Sequence, residues 1–113
     1  VLTVPENVRI HLAAGATDMR KSFDTLAALT RTVIGQDPRS GHLFVFCNGR
    51  RDRLKILQWE SSGYWLLAKR LEKGTFSWPD AKQASVTMTA TELAVLLGGL
   101  DVRDTRKRPW YGR

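Results

Sequence analysis

The chain has little cysteine: one residue, Cys47, in 113, so no internal disulfide is available and a reducing compartment is expected. It has no long apolar run approaching the roughly 20 residues of a membrane helix. The opening VLTVPENVRIHLAAGA carries no basic region followed by an apolar one, so no secretory signal is expected. A cytoplasmic protein follows as the expectation. No initiating methionine precedes Val1, and residues upstream of it are expected. Histidine is scarce too. His11 and His42 lie 31 positions apart with no second ligand at metal-binding spacing, so neither a metal nor another cofactor is expected. There is no glycine-rich phosphate loop and no serine elbow. The 11 acidic residues show no spacing that converges carboxylates on a two-metal site, which points away from an enzyme.

What is present is positive charge, and it is local. The formal net charge is +7, from 18 Lys and Arg against 11 Asp and Glu. Residues 50–73 hold seven cations and three acids, residues 101–113 hold five and two, and the remainder balances at six of each. Two local excesses point to an anionic partner.

Periodicity gives the elements. In 8–14, Val8, Ile10 and Leu12 alternate with Arg9 and His11, the pattern of a half-buried strand. Residues 18–34 read as the main helix, with Met19, Phe23, Leu26, Ala27, Thr30, Val33 and Ile34 on one stripe, Thr17 or Asp18 at its start and Gly35 at its end. HLFVFC (42–47) is apolar on both parities and reads as a strand covered on both sides. Asn48-Gly49 signals a hairpin turn, followed by the strands RLKILQWE and YWLLAKRLE around SSG. Residues 79–85 read as a loop. Thr89 and Glu92 form a capping box for a last helix whose stripe is Leu93, Leu96, Leu97 and Leu100.

In the stretch NGRRDRLKILQW, Arg51, Arg53 and Lys55 share a strand parity. If SSG is a three-residue loop, Lys55 faces Lys69 and Trp59 faces Trp65, and a like-charge pair of that kind is eased by an anion. Arginine forks suit phosphate oxygens. A solvated edge hairpin kept soluble by its charge is the competing reading. In the tail, Arg106, Lys107 and Arg108 stand beside Trp110 and Tyr111, a mix of cations and stacking surfaces.

The stretches GATDMRKSFDTLAAL (15–29), GHLFVFCNGRRDRLKILQWESSGYWLLAKRLEKGTFSWP (41–79) and LAVLLGGLD (93–101) carry a resemblance. They resemble the small accessory proteins encoded by the IS-66 family of bacterial insertion sequences, not the RNA-guided nuclease that shares their short name. Ser22 and Glu60 depart from the family pattern, which usually has Gly and Asp there. The resemblance implies a role in transposition beside a separate transposase that carries the catalytic acids.

The expected fold is α+β: an antiparallel β-meander packed against one long helix, with a short C-terminal helix and a basic tail. Residues 1–100 are expected to form a single domain and 101–113 a flexible extension. The expected function is a non-catalytic accessory factor for DNA transposition. Arg50, Arg51, Arg53 and Lys55 would contact DNA phosphates, Lys69, Arg70 and Lys73 would extend the surface, and Arg106, Lys107 and Arg108 would add to it from the tail. The alternative is a protein-interaction module that docks on the transposase or another accessory protein of the element. A metal-dependent nuclease ranks last. The expected partners are DNA and those proteins, with no membrane.

Overall fold

The computed structural model describes residues 4–79 and 82–99. Its strands are β1 (Ile10–Ala13), β2 (Leu43–Cys47), β3 (Arg53–Glu60), β4 (Gly63–Arg70) and β5 (Ser85–Met88), and its helices are α1 (Phe23–Leu29) and α2 (Ala90–Gly98). The strands form one sheet in the order β4-β3-β2-β1-β5.

The expected antiparallel meander holds for β2, β3 and β4. It does not describe the whole sheet, because β1 pairs parallel with β2 and β5 joins the other side of β1. The alternation around β1 was misleading. Arg9 lies outside the strand, and all four strand residues are buried, His11 included. β1 is an interior strand paired along both edges, and its second partner, residues 85–88, begins at the last residue of the expected 79–85 loop. β2 is buried at all five positions, as its continuous apolar run requires.

The helix is shorter than 18–34. Ser22 is its N-cap and its N–H donates to Thr25 Oγ1 at 2.9 Å. Asp18 does not cap it, because the helix starts beyond it at Phe23, and its carboxylate accepts from Arg20 instead. After Leu29 the chain continues as a π-helical turn, Thr30–Ile34, so the helical span is 12 residues. The buried Thr30 hydroxyl donates back to Leu26 O, and Gly35 closes the turn at φ 76° by donating to Thr30 O. The T-x-x-E capping box of α2 forms as expected, with Glu92 N–H on Thr89 Oγ1 and Thr89 N–H on Glu92 Oε1, both at 3.1 Å.

Helices cover both sheet faces. On one, Leu26, Ala27 and Ile34 pack on Ala13, Phe44, Phe46 and Leu57. On the other, Leu93 and Leu96 of α2, with Phe76 and Trp78, pack on Ile10, Leu12, Val45, Leu54 and Ile56. Fully burying a side chain of this size stabilises by about 1.5–3 kcal/mol. Trp78 stitches the layers by donating from Nε1 to Ala13 O at 3.1 Å. Leu100 and the division at residue 100 fall outside the described residues. No helix among the described residues is long and apolar enough to cross a membrane.

His11 stacks on Phe44 with centroids 5.5 Å apart, and its Nε2 has no partner among the described residues. Burial, with His42 and Arg9 nearby, lowers its pKa from the usual 6.5. The unfolded chain therefore binds more protons here than the folded one, and stability falls as pH drops below about 6.5. Thermal melts of the wild type are expected to lose stability between about pH 7.5 and pH 5, and a His11→Phe variant is expected to lose less over the same range.

Candidate nucleic-acid interface

Parallel pairing of β1 and β2 brings the loops that leave their C-terminal ends to one edge of the molecule. There Thr17 N–H donates to Cys47 O at 2.7 Å. A Cβ at Gly49 would lie 3.7 Å from Ala16 Cβ, so the two loops are in contact. β3 begins at this end and β4 finishes there, with Arg53 opposite Arg70. The result is a shallow cleft walled by Asp18 and Arg20 on one side and by Arg50, Asp52 and Arg53 on the other. A second depression continues from Met19 and Arg53 to Lys55, Arg70 and Glu72.

The basic loop is a built turn. Asn48 Oδ1 accepts from the N–H groups of Asp52 and Arg53, both at 3.1 Å, while its amide donates to Asp52 Oδ1 at 2.7 Å. That amide bond is the main cause of the lowered pKa of Asp52, with Arg50 and Arg53 adding to it. Arg51, not Gly49, takes the positive φ, at 62°. Its guanidinium turns inward and donates to Trp78 O at 2.9 Å, and its carbonyl accepts from Phe76 N–H at 2.7 Å. Arg51 therefore ties the loop to the chain that leads into α2.

The cations chosen from sequence divide into two groups. Arg50 and Arg53 are exposed, and their guanidinium groups make no hydrogen bond or ion pair among the described residues. Arg70 is exposed and pairs with Glu72 at 3.0 Å, and Lys73 is exposed nearby. Lys55 is half-buried and its Nζ donates to Lys21 O at 2.8 Å, holding the approach to α1. Lys69 donates to Leu97 O at 2.8 Å and satisfies a carbonyl at the end of α2. The expected Lys55–Lys69 pair does not occur. The hairpin turn holds two residues, with Glu60 opposite Gly63, so Lys55 faces Ala68 and Lys69 lies on the other face opposite Leu54. Trp59 accordingly faces Tyr64 rather than Trp65. Arg106, Lys107 and Arg108 lie outside the described residues.

From the sequence alone, DMRK (18–21) is a polar patch at a helix start that reads as capping plus a solvated face. The Arg20 side chain clasps the Asp18 carboxylate, from Nη2 to Oδ2 at 2.7 Å and from Nε to both oxygens. This clasp holds the Asp18 pKa down at about 2. Both groups are exposed, so the pair orients Arg20 more than it stabilises the fold. The missed signal was long-range: only the parallel β1–β2 pairing sets the DMRK segment beside the hairpin loop. Cys47, beneath the cleft, is fully buried, and its thiol pKa is pushed up to about 12, chiefly by burial. Among the described residues no group of three or more His, Cys, Asp or Glu side chains is placed to hold a metal ion.

The model of the family described as IS66 Orf2 like protein matches residues 8–107. The chain belongs to the IS66 Orf2-like family. Both walls of the cleft fall inside the matched span, and the family ties the chain to an insertion sequence. Two uncharacterized proteins of Sinorhizobium fredii are similar to it. One, y4hO, is 38% identical over 98 residues, covering 87% of this chain and 85% of its own. The other, y4jC, is 35% identical over 102 residues, covering 90% and 87%. No solved structure matches the chain.

The division between inward and free arginines is measurable. Arg51→Ala is expected to lower unfolding stability by about 1–3 kcal/mol, because it removes the part-buried charged hydrogen bond from Arg51 to Trp78 O. Arg50→Ala is expected to stay within about 0.5 kcal/mol of wild type in the same denaturant titration.

Proposed function

We propose that this IS66 Orf2-like protein is a non-catalytic accessory factor of transposition that binds DNA through backbone phosphates at the cleft between residues 16–20 and 48–53. The observation that carries this reading is the Arg53–Arg70 cross-strand pair, with the exposed Arg50 in the adjoining loop. Like charges directly opposite each other in a sheet are unfavourable, and a bound phosphate offsets the repulsion. Arg20, held by Asp18, offers its guanidinium from the opposite wall. Arg50, Arg53, Arg70 and Arg20 form the contacting set, and Lys73 extends it. Arg51, Lys55 and Lys69 hold loops and helix ends in place. The transposase and the other accessory protein of the same element are the protein partners this role requires, and the element's ends are the DNA it acts on.

The test is binding to a duplex from the element's end and to a scrambled duplex across a salt series. Four phosphate contacts give a slope of log K against log salt of about −3.6. Replacing Arg20, Arg50 and Arg53 together with Ala is expected to flatten the slope by about 2.7 and weaken binding to both duplexes. An unchanged slope rejects the site. No binding at low salt rejects the function and leaves the same surface to a protein partner.

A further inference from the structure

Among the described residues β4 is an edge of the sheet, and it carries exposed apolar side chains. Its neighbour β3 is paired through Glu60 and Gly63 across a two-residue turn, and beyond the strand Leu71 N–H donates to Asp52 O at 2.8 Å. Odd-numbered β4 residues thus direct their backbone groups to β3. The even-numbered Tyr64, Leu66, Ala68 and Arg70 direct theirs away from the sheet. On one face of the same strand, Trp65 is 57% exposed and Leu67 is 41% exposed. They are two of the four large hydrophobic side chains left exposed among the described residues, and they sit two positions apart. Edge strands normally carry a charge that blocks pairing. Here Lys69 is occupied across the sheet face by Leu97 O, so its amine does not stand guard over the open edge.

We propose that this edge pairs antiparallel with the same edge of a second copy of the chain, centred on Leu66, to make one continuous sheet. The occupant is a second copy because the strand is complementary to itself in that register. Trp65 of each chain then stands opposite Leu67 of the other, so both exposed side chains are covered at once. Tyr64 stands opposite Ala68. Lys69 falls opposite Gly63 and Arg70 opposite Ser62, so no cation of one β4 strand faces a cation of the other across the paired edge. Centring on Trp65 instead would set each Leu67 against a glycine, and parallel pairing would stack the Lys69–Arg70 ends together. The pairing does not depend on DNA binding. If both hold, it places two basic clefts on one assembly.

The test is the solution mass of the full chain, without DNA, at roughly 100 μM, where a micromolar Kd gives mostly dimer. The wild type is expected at twice the chain's 12.8 kDa. Trp65→Lys and Leu67→Lys are each expected to weaken self-association at least about tenfold with unchanged circular dichroism. Mild oxidation of Leu66→Cys is expected to give a covalent dimer, since the native thiol is buried. A wild type at the mass of one chain overturns the proposal, as does a dimer that survives both lysine substitutions. An oxidised Leu66→Cys protein that stays uncoupled overturns the register.

Discussion

The parallel pairing of β1 with β2 is the constraint on which the rest of the molecule depends. Parallel neighbours need a crossover, and here the crossover contains α1 and its π-helical extension. Burial of both strands on both faces then requires a cover on each side, which α1 gives to one and α2, Phe76 and Trp78 give to the other. The same pairing sends the 14–20 and 48–52 loops out of the sheet side by side. The cleft is therefore a consequence of strand direction. With β1 antiparallel to β2, Arg20 would leave the opposite end of the sheet from Arg50.

Within that frame the basic residues have two physical jobs. Arg51, Lys55 and Lys69 each donate to a backbone carbonyl far along the chain: Trp78, Lys21 and Leu97. A charged donor satisfying a carbonyl is stronger than a neutral one, and each such bond pins one segment to another. Arg50 and Arg53 make no such bond among the described residues, and their charge faces solvent beside Arg70. A surface that commits Arg51, Lys55 and Lys69 to internal ties still keeps an electropositive rim, because the ties hold the remaining cations close together.

Local signals were legible and long-range ones were not. The α2 capping box needs only Thr89 and Glu92, three residues apart, and it formed as read. The limits of β3 follow from its own pattern between two turns. The turns themselves were misjudged. Gly49 and Gly63 mark them in the sequence, yet the positive φ values belong to Arg51 and Ser61, and Gly63 is already in β4. One residue of difference at that turn moved Lys69 to the opposite face. In the sequence β1 reads as half-buried because Arg9 and His11 break its apolar run, but His11 is buried against Phe44. No local pattern records that β1 has two neighbours. Arg50, Arg53 and Arg70 were visible as candidates from charge alone, whereas Arg20 becomes one only once the strands are paired.

Backbone amide shifts of the isotopically labelled chain, followed during titration with a short duplex from the element's end, test the central claim most directly. The largest changes are expected at residues 16–20 and 48–53 and around Arg70, with α2 and β5 little affected. Changes centred on α2 or β5, or an unaltered spectrum at low salt, would contradict it.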